Sequence, residues 1–194
     1  LAEIFGIIIF VAGMLLLLAL VYYSPEDPNF IFPDNTEIKN ILGFQGSFVS
    51  DIFFQSIGLV SYLISLTLLI TGINIFRTKE FFLIIENTFF AIIYSVLGTL
   101  FLSQFYSNAF TLYINGNGGF VGNYFNQTFL TSLILINKTI FYYLLIILVL
   151  IFFLISINFN AIKFYENLKK ILTVFSKSKE KNYTHKSEVI SEYI

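Results

Sequence analysis

Four runs of about twenty apolar residues constrain this sequence of 194 residues more than any other feature. An α-helix rises about 1.5 Å per residue and the hydrocarbon core of a bilayer is about 30 Å thick, so a run of this length can cross a membrane. Because lipid offers the backbone no hydrogen-bond partner, each run is predicted to be a helix. The predicted spans cover approximately residues 4–23, 52–76, 81–102 and 139–159.

The composition excludes a water-soluble globule. Charged residues make up 12% of the chain, hydrophobic residues make up 57%, and the mean hydropathy is +0.81. A soluble domain carries about 25% charged residues, and half that density leaves too little polar surface to face water. The lipid bilayer is therefore the first partner that the sequence predicts.

Positive charges are unevenly distributed among the connections. Of the 11 Lys and Arg residues, Lys39 and Lys138 lie in the long connections after the first and third spans, whereas the others lie in the link 77–80 or after Phe159. Cytoplasmic segments are enriched in Lys and Arg. The predicted fold class is thus an all-α membrane protein, a bundle of four transmembrane helices with both termini in the cytoplasm.

Two further segments are predicted beyond the membrane domain, residues 1–159. Residues 160–176 repeat apolar side chains at helical spacing and predict an amphipathic juxtamembrane helix. Residues 177–194 are polar and predict a linker. We expect such a linker to lead to a cytoplasmic domain attached beyond Ile194.

No pattern in the sequence predicts chemistry in this segment. The chain has no cysteine and one histidine, His185. The stretch Asn115–Gly122 has Val121 where a dinucleotide-binding fingerprint needs glycine. We predict no catalytic, metal-binding or cofactor-binding residue and no enzyme activity for this chain. The sequence also has few polar residues that could converge on one buried cavity. This scarcity favours a membrane anchor over a transporter.

Three features leave alternatives open. Glu86, near the start of the third span, fits an interfacial role, an interhelical contact or proton transfer. Gly58 and Gly72 permit close helix packing, either within the chain or between copies. The start of the fourth span is ambiguous, because residues 120–136 either extend that helix beyond the membrane or lie on or within its outer surface.

The first span stops abruptly at Tyr22 and Tyr23, and two prolines that enclose two carboxylates follow in residues 24–28. Tyrosine suits the membrane interface, proline disfavours helical conformation in the residue before it, and carboxylates resist entry into lipid. One interpretation of this stretch is a stop signal at the membrane surface. The other is an outward recognition loop that covers residues 24–51.

Short motifs follow one another in a fixed order along the chain. They are Tyr23-Ser24-Pro25-Glu26-Asp27-Pro28, then Asn40-Ile41-Leu42-Gly43 with Gly46 and Asp51, then Gly58, Tyr62 and Gly72, and finally Gly118-Gly119-Phe120-Val121-Gly122. In this order and spacing they resemble motifs of the four-span N-terminal membrane domain of FtsK/SpoIIIE-type bacterial DNA translocases. The chain departs from that family at Asn137-Lys138, where glycine pairs are frequent. The motif and interaction candidates are Tyr23, Ser24, Pro25, Asp27, Pro28, Gly43, Gly46, Asp51, Gly58, Gly72, Gly118, Gly119 and Gly122.

The resemblance implies a role in cell division and chromosome segregation. It implies a membrane anchor at the division septum of the bacterial inner membrane, which forms homo-oligomers (a hexamer in the family) and contacts other divisome membrane proteins. ATP, Mg²⁺ and DNA would then bind only a cytoplasmic motor domain that is absent from this chain. The alternative is a stand-alone four-span protein, either a transporter subunit or a membrane adaptor.

Overall fold

The computed structural model describes residues 1–28, 37–107 and 115–162, together with residues 165 and 169. The described residues form helices and connecting turns and contain no β-strand. The helices are α1 (Ala2–Val21), α2 (Gly43–Ile57), α3 (Ser61–Thr78), α4 (Leu83–Phe105), α5 (Gly119–Asn126), α6 (Phe129–Ile136) and α7 (Lys138–Ser156), with a short 3₁₀ turn at Gly58–Val60.

Four of these helical segments are long and apolar enough to cross a membrane. They are α1, the segment Gly43–Thr78 that contains α2 and α3, α4, and α7. The predicted fold class, an all-α protein with four membrane-spanning helices, is therefore confirmed. The fourth span begins at Lys138, and residues 129–136 form a separate helix instead of extending it.

The second helical segment is broken in a way that the sequence pattern does not show. Gly58 adopts φ 60° and ψ −141°, a backbone conformation that is essentially confined to glycine. The predicted span 52–76 includes this break. The 18 residues of α3 are long enough, at about 1.5 Å each, to cover most of the hydrocarbon thickness without α2.

Helices α1 and α3 run antiparallel and touch through their backbones. A Cβ atom added to Gly13 would lie 2.7 Å from the backbone nitrogen of Leu69, and one added to Gly72 would lie 2.5 Å from that of Phe10. Near the other end of this pair, the Tyr62 hydroxyl donates to the Leu20 carbonyl at 3.2 Å. Small residues at the crossing permit this close approach. Gly72 therefore serves packing within the chain.

Helices α4 and α7 form a second antiparallel pair, which is held by aromatic side chains. The rings of Phe90 and Phe152 stack at 6.2 Å, and Tyr94 meets Phe153 edge-on at 5.7 Å. The two pairs meet where α3 lies against α4. The Tyr94 hydroxyl is 2.8 Å from the Thr67 hydroxyl in this contact.

The α3–α4 contact corrects one prediction, because the bundle contains more buried polar side chains than the sequence suggested. Asn87 donates to Thr71 at 2.8 Å, and the Ser156 hydroxyl lies 3.3 Å from that of Thr67. A cavity of about 370 Å³ lies along these residues and is lined largely by aliphatic side chains. The polar groups in this region carry no charge, and hydrogen bonds between such groups hold membrane helices together.

The bundle has two distinct ends. The end that contains the C-terminus of α1 and the N-termini of α3 and α7 is called the loop face. At the opposite end the start of α1 lies near the turn between α3 and α4, where the Lys79 ammonium is 3.0 Å from the Glu3 carboxylate. The sequence predicts that the loop face is outside the cell, and this orientation stays a prediction.

Residues 159–194 form a separate compact unit from residues 1–158. Residues 161, 162, 165 and 169 are helical. The remainder of the predicted juxtamembrane helix, and the predicted linker 177–194, lie outside the described residues.

The backbone contact between α1 and α3 makes Gly72 intolerant of a side chain. We expect Gly72→Leu to lower the free energy of unfolding by about 1–3 kcal/mol, because the new side chain has to push two backbones apart. The measurement is reversible unfolding in mixed micelles. The control is Ile73→Leu at the neighbouring exposed position, and equal stability of the two variants would contradict the close contact.

Candidate interaction site at the loop face

The stretch after α1 forms a tight turn with a buried carboxylate at its end. The backbone N–H of Asp27 donates to the Ser24 carbonyl at 3.2 Å, and Pro25 occupies the second turn position, where its fixed φ is favourable. The Asp27 carboxylate then accepts hydrogen bonds from the backbone N–H groups of Lys39 at 2.8 Å and Asn40 at 2.9 Å. Asp27 therefore ties the start of this connection to its end.

Asn40 continues this link back to the end of α1. Its side-chain amide donates to the Ala19 carbonyl at 2.9 Å, and its Oδ1 accepts from the backbone N–H of Leu42 at 3.1 Å. Gly46 lies directly against the Asn40 side chain, so any Cβ atom there would overlap it. Gly43 adopts φ +65° with open space around it. Asn40 thus satisfies a carbonyl that the end of α1 would otherwise leave without a partner.

A second set of hydrogen bonds connects α1, α2 and the long connection after α4. The Tyr23 hydroxyl donates to the Asp51 carboxylate at 3.2 Å, and the Gln55 side chain lies 3.5 Å from the same carboxylate oxygen. Asn115 donates through its side chain to Gln55 Oε1 at 3.1 Å and to the Gln55 carbonyl at 3.2 Å. Ser47 donates to the Pro28 carbonyl at 3.0 Å.

The two loop-face connections meet where two glycines face each other. The backbone N–H of Leu59 donates to the Asn117 carbonyl at 3.0 Å. A Cβ atom on Gly58 would overlap that carbonyl, and one on Gly119, which has φ +64°, would lie 2.6 Å from the Gly58 nitrogen. We call this contact, together with the Gln55–Asn115 hydrogen bonds, the loop-face junction.

Gly118 and Gly122, the remaining glycines of the last motif, allow α5 to pack closely against α4. Cβ atoms on Gly118 and Gly122 would lie 2.6 and 2.5 Å from the Thr99 carbonyl. The Ser103 hydroxyl donates to the Gly122 carbonyl at 2.9 Å. The two glycines therefore allow backbone-to-backbone contact at the loop-face end of α4.

Two of the interaction candidates, Asp27 and Asp51, do not lie on the outer surface of this loop. Asp27 is 1% exposed and Asp51 is 6% exposed, so both carboxylates are used inside the chain. The exposed residues among the described part of the connection include Pro25, Glu26, Glu37 and Lys39. The sequence did not reveal the roles of Gln55, Asn115 and Asn117, because their partners lie about sixty residues away.

Glu26 and Lys39 form an ion pair on the surface of this site. The hydrogen bond from Lys39 lowers the pKa of the Glu26 carboxyl, and the same contact raises the pKa of the Lys39 ammonium. Both groups therefore stay charged over the physiological pH range and present an exposed pair of opposite charges.

Glu86 lies in the first turn of α4 and is exposed. A carboxylate in that position interacts favourably with the positive end of the helix dipole. This placement favours the interfacial role among the three alternatives, because proton transfer requires a group that is enclosed within the bundle.

The family of this chain is indicated by a match over most of its length. Residues 1–169 match the family model described as the 4TM region of DNA translocase FtsK/SpoIIIE. DNA translocase FtsK of Caulobacter vibrioides is 39% identical over 69 residues, which are 36% of this chain and 8% of that protein. DNA translocase FtsK of Rickettsia prowazekii is 28% identical over 133 residues, which are 68% of this chain and 18% of that protein.

A third relative, DNA translocase FtsK of Rickettsia typhi, is 25% identical over 134 residues, which are 68% of this chain and 18% of that protein. The chain thus spans less than a fifth of the length of these relatives. No solved structure matches the chain. The matches confirm the resemblance that the loop-face motifs indicated.

Removal of the Asp27 carboxylate should destabilise the fold. Asp27→Ala removes the acceptor of two backbone N–H groups, that of the exposed Lys39 and that of the buried Asn40, and we expect a loss of about 1–3 kcal/mol in the free energy of unfolding in micelles. Glu26→Gln, at the exposed neighbour, is the control and should change stability little. If both variants unfold alike, Asp27 does not hold this connection together.

The junction can be tested with two glycines of nearly equal φ. Gly119→Ala and Gly43→Ala share the strain of a left-handed residue, about 1–2 kcal/mol, but only position 119 has backbone atoms within 2.6 Å. Thermal unfolding in micelles should therefore show a lower midpoint for Gly119→Ala than for Gly43→Ala. Equal midpoints would mean that the two connections are not in contact.

Proposed function

Because this chain belongs to the 4TM region of the FtsK/SpoIIIE family of DNA translocases, we propose that it anchors such a translocase in the bacterial inner membrane at the division septum. We assign this chain no catalytic role. The activity belongs to a cytoplasmic motor domain that uses ATP and Mg²⁺ to move DNA. The chain supports that motor by holding it at the membrane and by forming homo-oligomers.

The loop-face junction is the observation that carries this proposal. The family motifs contribute their side chains and glycines to contacts within the chain, as in the Asp27 carboxylate and the Gly58–Gly119 contact. Such contacts rigidify the bundle, and rigidity is what an anchor under load requires. Within the described residues, no three of His, Cys, Asp and Glu come close enough to hold a metal ion.

The exposed part of the first connection is the surface that we assign to divisome membrane proteins. The backbone N–H of Lys39 donates to the Asp27 carboxylate, and the Lys39 side chain pairs with Glu26. A preorganised surface loses less conformational entropy on binding. This surface replaces Asp27 and Asp51 as the site of contact.

The alternative function, that of a stand-alone transporter subunit, would use the cavity between α3 and α4 as its transport pathway. A transport pathway would need polar groups that are free to bind a solute. Here Thr67, Thr71 and the Asn87 amide N–H hydrogen-bond across helices, and most of the cavity lining is aliphatic. Two polar atoms of the lining, Asn87 Oδ1 and Ser95 Oγ, have no hydrogen-bond partner among the described residues, which is fewer than a continuous solute pathway needs. The arrangement favours helix association over solute passage.

A fluorescent fusion of this chain in its native bacterium tests the localisation. We expect the fusion to concentrate at the septum. We expect Glu26→Lys to lower the septal fraction without lowering the membrane-bound amount, because this substitution changes an exposed charge and leaves the bundle intact. The matched control is Glu80→Lys, a similarly exposed carboxylate in the turn at the opposite end of the bundle.

The outcomes separate two parts of the proposal. A uniform membrane distribution of the parent fusion would contradict septal anchoring. Septal enrichment that survives Glu26→Lys would contradict the assigned contact surface and leave the anchoring role intact.

A further inference from the structure

Helices α5 and α6 present large apolar side chains away from the bundle. Phe129 is 73% exposed and Ile136 is 79% exposed. The exposed set also includes Phe120, Tyr124, Leu133 and Leu135. A surface of this kind on a protein in water is unfavourable, and contiguous apolar patches mark contact with another apolar phase or partner.

The polar side chains of these two helices divide between the two sides. Thr131 donates to the Asn126 carbonyl at 2.6 Å, and Gln104 of α4 donates to Thr131 at 2.6 Å and also to the Asn126 side chain. Ser132 of α6 is exposed. Apart from Ser132, the exposed positions of α6 carry large apolar side chains, which is not the pattern of a water-exposed amphipathic helix.

Helix α6 also lies beside the membrane spans and not beyond their ends. Ile134 is 3% exposed and packs in one cluster with Leu100 of α4 and Leu145 of α7. Leu145 is seven residues into α7, so at about 1.5 Å per residue this contact lies roughly 10 Å along that span. The exposed face of α6 is continuous with the lipid-facing side of α7, where Ile140 and Tyr143 are exposed.

The sequence around these helices carries no charge. From Asn87 to Asn137 there is no Asp, Glu, Lys or Arg, although this stretch contains the whole connection between α4 and α7. A soluble segment would carry about one charged residue in four. A segment in lipid has to avoid charged side chains, because each of them is energetically costly there.

The N-termini of α6 and α7 are capped by side chains. Thr128 accepts from the backbone N–H of Leu130 at 3.4 Å, and Asn137 accepts from that of Ile140 at 3.2 Å. The Thr128 hydroxyl also donates to the Phe125 carbonyl at 2.6 Å. Non-helical backbone at membrane depth requires partners of this kind.

We propose that α5 and α6 form a re-entrant element that is embedded in the acyl chains of the leaflet at the loop face. The chain leaves the membrane after α4, re-enters with its apolar face toward lipid, and reaches α7 without a soluble domain in between. The occupant of the exposed face is phospholipid. This inference does not depend on the proposed role in a translocase.

The chain contains no tryptophan, so a single introduced tryptophan reports its own surroundings. We suggest Phe129→Trp and, as a second position, Leu133→Trp, each reconstituted at low protein-to-lipid ratio in phosphatidylcholine–phosphatidylglycerol vesicles. We expect blue-shifted emission, strong quenching by lipids brominated on their acyl chains, and weak quenching by aqueous iodide. Far-UV circular dichroism equal to that of the parent verifies folding.

Two reference positions calibrate the result. Ile147→Trp, on the exposed side of α7, gives the signal of a lipid-facing residue, and Ile38→Trp, between Glu37 and Lys39, gives that of a water-facing residue. Iodide quenching at positions 129 and 133 like that at position 38 would overturn the proposal. Protection from both quenchers would also overturn it, because the face would then be covered by protein, either a second copy or another membrane protein.

Discussion

An unpaired backbone N–H or C=O group is costly near lipid, and this requirement governs the loop face. The chain has to turn twice there, and each turn leaves peptide groups outside a helix. Asp27 supplies an acceptor for two N–H groups, and Asn40 supplies a donor for the Ala19 carbonyl near the end of α1. Between the two connections, the N–H of Leu59 and the carbonyl of Asn117 satisfy each other. The motif residues therefore supply hydrogen-bond partners to backbone groups that lie outside the helices, where water is scarce.

The two helix pairs of the bundle are held by different physical means. Backbone contact at glycines joins α1 to α3, so a small change in side-chain volume there separates the whole pair. Ring packing joins α4 to α7 and leaves much of α7 exposed. Uncharged hydrogen bonds at Thr67 and Thr71 connect the pairs. In lipid such bonds contribute about 1 kcal/mol each, and apolar packing of Val60 and Ile64 against Tyr94 accompanies them.

The four spans were predictable from the sequence because length and apolarity are properties of each segment alone. The break at Gly58 was not predictable in this way, since it depends on the Asn117 carbonyl arriving from a distant connection. The burial of Asp27 and Asp51 was missed for a related reason. Aspartate is usually exposed, and only the tertiary fold brings it the N–H and hydroxyl donors that make burial tolerable. The direction of the polar side chains at Thr67 and Asn87 is likewise set by the neighbouring helix.

The position of the loop-face junction between the two helix pairs has a consequence for the order of assembly. Each helix pair can form from segments within one half of the chain, but the bond from Leu59 to Asn117 joins the two halves. Leu59 is positioned immediately before α3, whereas Asn117 is positioned by the contact of the neighbouring Gly118 with α4. The junction can therefore close only when both pairs are already in the membrane. Its closure marks the moment at which two independently inserted hairpins become one cooperative unit.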